Sequence, residues 1–202
     1  MTISLQKRQT INLEKSNGQA LTKITMGLGW DVAKKTIHTK GFLGFGGHDK
    51  VVEGESIDLD ASAIGFDALG NELEHIYFGK LKGFDGAVQH NGDNLTGEGD
   101  GDDETIDVDL TRLPANVQSL VFTVNSFRGQ TFDQIENAMC RLIDQTNKQE
   151  IARIDLSAKG RHTGVIMAKV FRDGKNWKVQ SLAEIGEGQT FKEMIPQISQ
   201  LL

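Results

Sequence analysis

The chain has 202 residues, 38% of them hydrophobic and 25% charged, a composition typical of a globular protein with a sizeable core. Its formal net charge of -6 and its lack of a basic patch argue against nucleic-acid binding, which requires a positively charged face. No apolar run reaches the ~20 residues of a membrane span, and the first residues lack a signal-peptide pattern, so the sequence predicts a cytoplasmic protein.

Most segments between glycines show the two-residue alternation of half-buried strands. In the first of them Ile24, Met26, Leu28 and Trp30 alternate with small or polar residues. The further predicted strands, in chain order, are Ser56–Phe66, His75–Phe78, Thr105–Leu110, Gln118–Asn125, Ala138–Asp144, Glu150–Leu156, Gly164–Arg172 and Asn176–Leu182. Short strands at near-regular spacing predict an all-β sandwich or barrel rather than βαβ units.

Helical patterns are confined to two places. Residues Phe132–Ile135 predict a short helical turn before a strand. At about residues 190–202, apolar side chains recur at helical spacing, at Phe191, Met194, Ile195, Ile198, Leu201 and Leu202. This amphipathic C-terminal helix either caps the β-sheets or binds a partner.

A glycine-rich insertion, Thr36–Lys50, separates two predicted strands. It carries the apolar residues Phe42, Leu43 and Phe45 among its glycines. Two interpretations are open: a flexible surface loop, or a hydrophobic contact site for a partner or a membrane surface. No domain boundary is evident, so residues 1–202 are predicted to form a single domain.

The region with the highest density of negative charge is Asp93–Glu104, in which glycines separate the acidic residues. Calcium takes about 6–8 oxygen ligands from carboxylates, amides and backbone carbonyls, and glycine lets a chain curl around an ion. The candidate side chains are Asp93, Asn94, Thr96, Asp100, Asp102, Asp103 and Glu104. The spacing does not match an EF-hand, which needs a central glycine and a terminal glutamate. A divalent-cation site and a solvated acidic loop both remain open.

A second acidic pair strengthens the interpretation as a cation site. Asp58 and Asp60 are two residues apart in a predicted strand, so both carboxylates should lie on one face. Without a neighbouring base, such a pair faces either water or a cation. Asp31, which follows Trp30 at a strand end, is either a further ligand or a turn cap.

Signals for catalysis are few. There is no G-x-S-x-G nucleophile motif, P-loop or dinucleotide fingerprint, and the histidines lack zinc-ligand spacing. The single cysteine, Cys140, fits a reducing compartment, and its alternation with Arg141 predicts a buried strand position. A metal-assisted hydrolase stays as the less favoured alternative.

Several motifs follow one another along the chain: GLGWD (27–31), DLDAS (58–62), HNGDNLTGEGDGDDE (90–104), VDLTRLP (108–114), NA-x-x-RLID (137–144), EIARIDL (150–156) and the pair Trp177–Lys178. Together they resemble the TerD family of bacterial tellurium-resistance and stress proteins. FTVNSFRGQTF (122–132) and the insertion Thr36–Lys50 resemble the TerX-type branch of that family. The resemblance covers nearly the whole chain in the same order. One departure is Leu95, where the family commonly has Arg.

The resemblance implies an antiparallel β-sandwich that binds calcium through acidic loops and has no established catalytic activity. By motif position it assigns the metal ligands Asp58, Asp60, Asp93, Asn94, Asp102, Asp103 and Glu104, with backbone carbonyls from Gly97 and Gly99. We therefore expect a non-catalytic stress-response protein that binds Ca²⁺, with two ions expected. Calcium would order a surface for other stress-response proteins of the same system, or alternatively for a membrane surface.

Overall fold

The computed structural model describes residues 2–39, 48–52, 57–94, 101–156 and 160–202. Its strands are β1 (Ile3–Ser4), β2 (Thr10–Asn12), β3 (Lys23–Val32), β4 (Lys35–Thr39), β5 (His48–Val52), β6 (Asp60–Phe66), β7 (Glu72–Ile76), β8 (Lys82–Gly83), β9 (Val88–His90), β10 (Glu104–Asp109), β11 (Ser119–Asn125), β12 (Ile135–Asp144), β13 (Gln149–Asp155), β14 (Gly164–Asp173) and β15 (Asn176–Gly186). One α-helix, α1 (Phe191–Ile198), follows the last strand. Short 3-10 turns occupy Phe84–Gly86 and Phe132–Gln134.

The strands form two large sheets and one hairpin. The first sheet has the order β1-β13-β12-β3-β10-β9-β8, and the second has the order β2-β15-β14-β11-β6-β7. Strand β1 pairs with β13 in parallel, and the other pairings are antiparallel. The predicted antiparallel-rich β-sandwich is therefore confirmed.

The alternating residues of the central strands build the core between the sheets. Ile24, Met26, Leu28 and Trp30 of β3 are all buried in one large apolar cluster. Cys140 of β12 lies in the same cluster, as its alternation predicted. Most of the predicted strands are present, with ends shifted by a few residues, as expected when tertiary contacts set the strand ends.

Helix α1 covers the outer face of the second sheet. Its residues Phe191, Met194 and Ile198 are buried against an apolar patch that includes Ile64 and Val121. The amphipathic pattern thus reflects docking onto the protein itself. The helix ends at Ile198, before the predicted end at about residue 202. Within the described part of the chain, no helix combines the length and hydropathy needed to cross a bilayer.

Two sequence-based expectations differ from the structure. The insertion Thr36–Lys50 contains paired strands at its ends, since β4 and β5 form an antiparallel hairpin with Thr36 opposite Val51. The apolar residues Phe42, Leu43 and Phe45 lie outside the described residues. The strand predicted from Ser56 begins only at Asp60, because β6 pairs with β11 from Asp60 onward. Asp58 consequently lies in the segment before β6 and not within it.

Candidate metal site

Three carboxylates meet at one end of the sandwich. Asp58 precedes β6, Asp60 is its first residue, and Asp93 follows β9. Each offers one carboxylate oxygen, and these oxygens all lie within 4.8 Å of one another. Because β6 belongs to the second sheet and β9 to the first, the cluster joins both sheets. Its donor set of hard oxygens fits a divalent cation such as calcium.

Two oxygens of this cluster lack a hydrogen-bond partner among the described residues. They are Oδ1 of Asp58 and Oδ2 of Asp60, and both atoms are buried. A buried acceptor without a partner costs about 1–3 kcal/mol. A cation would satisfy both oxygens, while the exposed Asp93 leaves a path from solvent. These residues therefore fit a metal ion.

The electrostatics of the cluster lead to the same conclusion. The pKa of Asp60 is raised to about 7, mainly by burial and also by the nearby charges of Glu104, Asp58 and Asp93, while a hydrogen bond from the Phe127 backbone opposes the shift. Burial also raises the pKa of Asp58, although the positive charge of Arg128 opposes this. The ionised form of the cluster is thus costly unless a positive charge compensates it.

Arg128 supplies part of that charge. Its Nε atom lies 3.2 Å from Oδ2 of Asp58, and its side chain is largely exposed. An exposed arginine is a weak and displaceable partner, because solvent screens it and its long side chain loses conformational freedom. Arg128 therefore stabilises the cluster only in part.

Glu104, one of the predicted ligands, connects the two acidic segments through the backbone. Its Oε2 atom accepts the N–H of Ala61 at 2.6 Å, and its Oε1 atom accepts the N–H of Asn94 at 3.2 Å. The side chain is buried, and His90 Nε2 lies 3.5 Å from Oε2. Glu104 thus positions the residues next to Asp60 and Asp93.

Asp103 and Asn94 have a similar connecting arrangement. Asp103 accepts the backbone N–H of Trp30 at 2.9 Å with Oδ2 and the side-chain amide of Asn94 at 3.1 Å with Oδ1. Burial raises the pKa of Asp103, and the Trp30 hydrogen bond opposes this shift. Asp103 thus ties the acidic segment to β3, and Asn94 holds Asp103; neither belongs to the three-carboxylate cluster.

The structure gives Asp102 and Asp31 other partners. The Asp102 carboxylate accepts a hydrogen bond from Arg141 Nε at 2.7 Å. It packs against the backbone of Gly27, in the space that a β-carbon at that position would occupy. Asp31 is exposed and accepts from the side chain of Asn137 at 2.7 Å. Gly97 and Gly99 lie outside the described residues, so their predicted carbonyl ligands remain predictions.

Two neighbours of the cluster were not identified from the sequence. His90 and Arg128 are separated from Asp58 and Asp60 by many residues, and their proximity follows from the pairing of strands. The position of His90 directly before the acidic segment is the one signal in the sequence that could have indicated its role.

Comparisons with known proteins agree with this architecture. The chain is 50% identical over 194 residues to the tellurium resistance protein TerZ of Serratia marcescens, which covers 95% of this chain and 94% of TerZ. It is 42% identical over 197 residues to the stress response protein SCP2 of Bacillus subtilis, covering 93% of each chain. Identity to TerX of Serratia marcescens is 34% over 215 residues, covering 95% of this chain and 96% of TerX.

A solved structure shares the fold. The crystal structure of a homologue of the telluride resistance protein TerD from Streptomyces coelicolor A3(2) superposes with a TM-score of 0.66 at 17% identity, covering 86% of this chain and 95% of that chain. The family model of the TerD domain matches residues 1–197. With the relatives above, this match shows that the chain belongs to the TerD family of tellurium-resistance and stress-response proteins.

Proposed function

We propose that this TerD-family chain binds calcium at Asp58, Asp60 and Asp93 and acts without catalysis. The observation that carries the proposal is the convergence of these three carboxylates within 4.8 Å, with unpartnered buried oxygens on two of them. Calcium suits this set because it accepts irregular oxygen shells and completes them with carbonyls and water.

Bound calcium would also order the acidic segment. The cation would join Asp93 to Asp58 and Asp60, while Glu104 and Asp103 hold the flanking backbone through the hydrogen bonds described above. The ordered segment would then form a surface for other stress-response proteins of the same system. The second calcium ion predicted from the resemblance would draw on Asp102, Asp31 or the carbonyls of Gly97 and Gly99.

Calorimetry on chelator-treated protein at neutral pH tests the binding step and gives the number of ions. At a calcium concentration of about 100 times Kd, linkage predicts about 2.7 kcal/mol of added stability in thermal or urea unfolding. The substitution Asp60→Asn should abolish binding of the ion at the three-carboxylate cluster and the stability that this ion adds. Asp173→Asn makes the same chemical change at the opposite end of the same sheet and should leave them intact.

Two results would overturn the proposal: no heat of calcium binding together with unchanged stability, or equal binding by Asp60→Asn and the unmodified chain. The ordering step has its own readout. Residues 83–111 contain no lysine or arginine, so an acid-specific endoprotease is the suitable probe of this segment. Calcium should slow cleavage between residues 91 and 104, and an unchanged cleavage rate would contradict the ordering step.

A further inference from the structure

A small cavity of about 180 Å³ lies beside the acidic cluster, where α1 begins. Asp60 contributes to its wall, so the cavity and the candidate metal site share one residue. This volume suits a small chemical group rather than a large ligand. Four aromatic side chains line it: Tyr77, Phe78, Phe127 and Phe191.

The four rings form a continuous arc. Phe191 and Tyr77 have ring centroids 5.3 Å apart, Tyr77 and Phe78 are 5.3 Å apart, and Phe78 and Phe127 are 6.2 Å apart. The two rings at the open end remain accessible, with Phe127 54% exposed and Phe78 40% exposed. Aromatic faces carry partial negative charge and attract cations within about 6 Å of the ring centre. The arc therefore favours a positively charged ligand.

Polar groups in the wall add hydrogen-bond acceptors. Asn125 is 3% exposed, and its side-chain nitrogen donates to the carbonyl oxygen of Gln189 at 2.6 Å. That hydrogen bond fixes the orientation of the amide, and its oxygen Oδ1 is buried without a partner. Asp60 is 5% exposed and carries the second unpartnered acceptor. A ligand with N–H donors would satisfy buried oxygens that otherwise lack a partner.

The surrounding charges disfavour an anionic ligand. Asp60 lies in the cavity wall, and carboxylate oxygens of Asp58 and Asp93 lie within 4.8 Å of its own. The start of α1, which could attract an anion, is already compensated because Glu193 accepts the backbone N–H of Gln189 at 2.9 Å. The one cation in the cavity wall, Lys192, is exposed, and its Nζ lies 6.0 Å from the Phe191 ring centre. An ammonium group can therefore lie near this ring, and the repulsion between Lys192 and a cationic ligand is weakened because solvent screens the exposed lysine.

We propose that this pocket binds a primary alkylammonium group, such as the end of a polyamine or of a lysine side chain. The ring faces attract the charge, and the oxygens of Asp60 and Asn125 accept its N–H groups. This inference does not depend on calcium binding. The shared Asp60 couples the two sites, because a calcium ion there would reduce the negative charge that attracts the ammonium group.

Nuclear magnetic resonance titration of the full chain with n-butylammonium chloride tests the proposal, first with chelator present. We expect saturable shifts confined to residues around the four rings, and weaker binding when calcium is added. Titration with 1-butanol, which has the same chain and no charge, should give no saturable shifts. Spermidine and an acetylated lysine-containing tripeptide then distinguish a polyamine from a protein lysine as the natural ligand. The compound that represents the natural ligand should bind more tightly than n-butylammonium.

The substitutions Phe127→Leu and Phe78→Leu remove exposed rings and should raise the Kd for n-butylammonium by about three- to tenfold. Leu69→Ala removes an exposed apolar side chain that does not line the pocket and serves as the control. Phe78→Leu lies outside the three-carboxylate cluster and the hydrogen bond from Phe127 to Asp60, so it should leave calcium binding unchanged and the two proposals fail independently. Equal binding of 1-butanol, or binding unaffected by both ring substitutions, would overturn the ammonium site.

Discussion

The carboxylate of Glu104 accepts the backbone N–H of Ala61 at 2.6 Å across 43 residues of sequence. Glu104 belongs to β10 of the first sheet and Ala61 to β6 of the second, so one buried side chain joins the two layers of the sandwich. The same carboxylate also holds the N–H of Asn94. A single glutamate thus sets the spacing between the two segments that carry the candidate metal ligands.

We predict that substitution of Glu104 lowers the stability of the chain, and that alanine lowers it more than glutamine does. Glu104→Ala leaves the buried N–H of Ala61 without an acceptor and should lower the free energy of unfolding by about 1–3 kcal/mol. Glu104→Gln keeps one acceptor oxygen and should cost less. Urea unfolding of chelator-treated protein measures both, with Glu187→Gln on the exposed surface as the control. An alanine variant as stable as the glutamine variant would contradict the bridging role.

Arg128 is predicted to compete with the cation. Its Nε lies 3.2 Å from Asp58, so Arg128→Gln removes a positive charge beside the cluster. We expect calcium affinity to rise by about two- to fivefold, the range that matches a screened surface ion pair. Lys175→Gln removes one positive charge from the exposed turn at the other end of the sheet and controls for net charge. Calorimetry measures the calcium affinity of both variants, and equal affinities would contradict the competition between Arg128 and calcium.

We predict that the ion pair between Asp102 and Arg141 requires a glycine at position 27. A β-carbon at this position would overlap the Asp102 carboxylate, which pairs with Arg141 Nε at 2.7 Å. Gly27→Ala should therefore displace Asp102 and destabilise the chain by about 1–3 kcal/mol. In an Asp102→Ala background the same substitution should cost clearly less. A thermal-unfolding double-mutant cycle measures the difference, and strict additivity would refute the steric explanation.

Cys140 is predicted to be chemically inert in the folded chain. Burial, together with the negative charge of Asp102, raises the pKa of its thiol to about 12. The nucleophilic thiolate is therefore scarce at neutral pH, and the sulfur is also shielded by the core. An aromatic disulfide reagent should label one thiol per chain in guanidinium and none in native buffer on the same timescale. Rapid stoichiometric labelling of native protein would be the contrary result.

The sequence indicated the parts of the fold that follow from local pattern. Alternation in β3 predicted the buried side of that strand, because period-two burial is visible in a single segment. The short strands β8 and β9 were missed, since two or three residues are too few to show a period. The pattern around Asp58 extended the predicted strand too far, because the described residues 57–59 continue the alternation without pairing to a neighbouring strand.

The sequence predicted which residues belong to the candidate site, but not which of them are candidate metal ligands and which hold the backbone in place. Charge density pointed to the segment that contains Asp93, and the two-residue spacing pointed to Asp58 and Asp60; the structure brings these three residues together. Neither signal could distinguish them from Glu104, whose contacts are to backbone groups contributed by other segments. The aromatic pocket could not be predicted from the sequence either, because its rings come from three separate regions of the chain that only the fold brings together.

The position of the acidic cluster at the junction of the two sheets has a consequence for motion. When the sandwich opens transiently at this end, Asp93 separates from Asp58 and Asp60, and a cation held between them would resist that separation. Amide hydrogen exchange at Ala61 and Asn94 would then follow the calcium concentration, while exchange at the far end of the sheets would not. Bound calcium would then change how often the two sheets separate at this end, in addition to ordering the acidic segment.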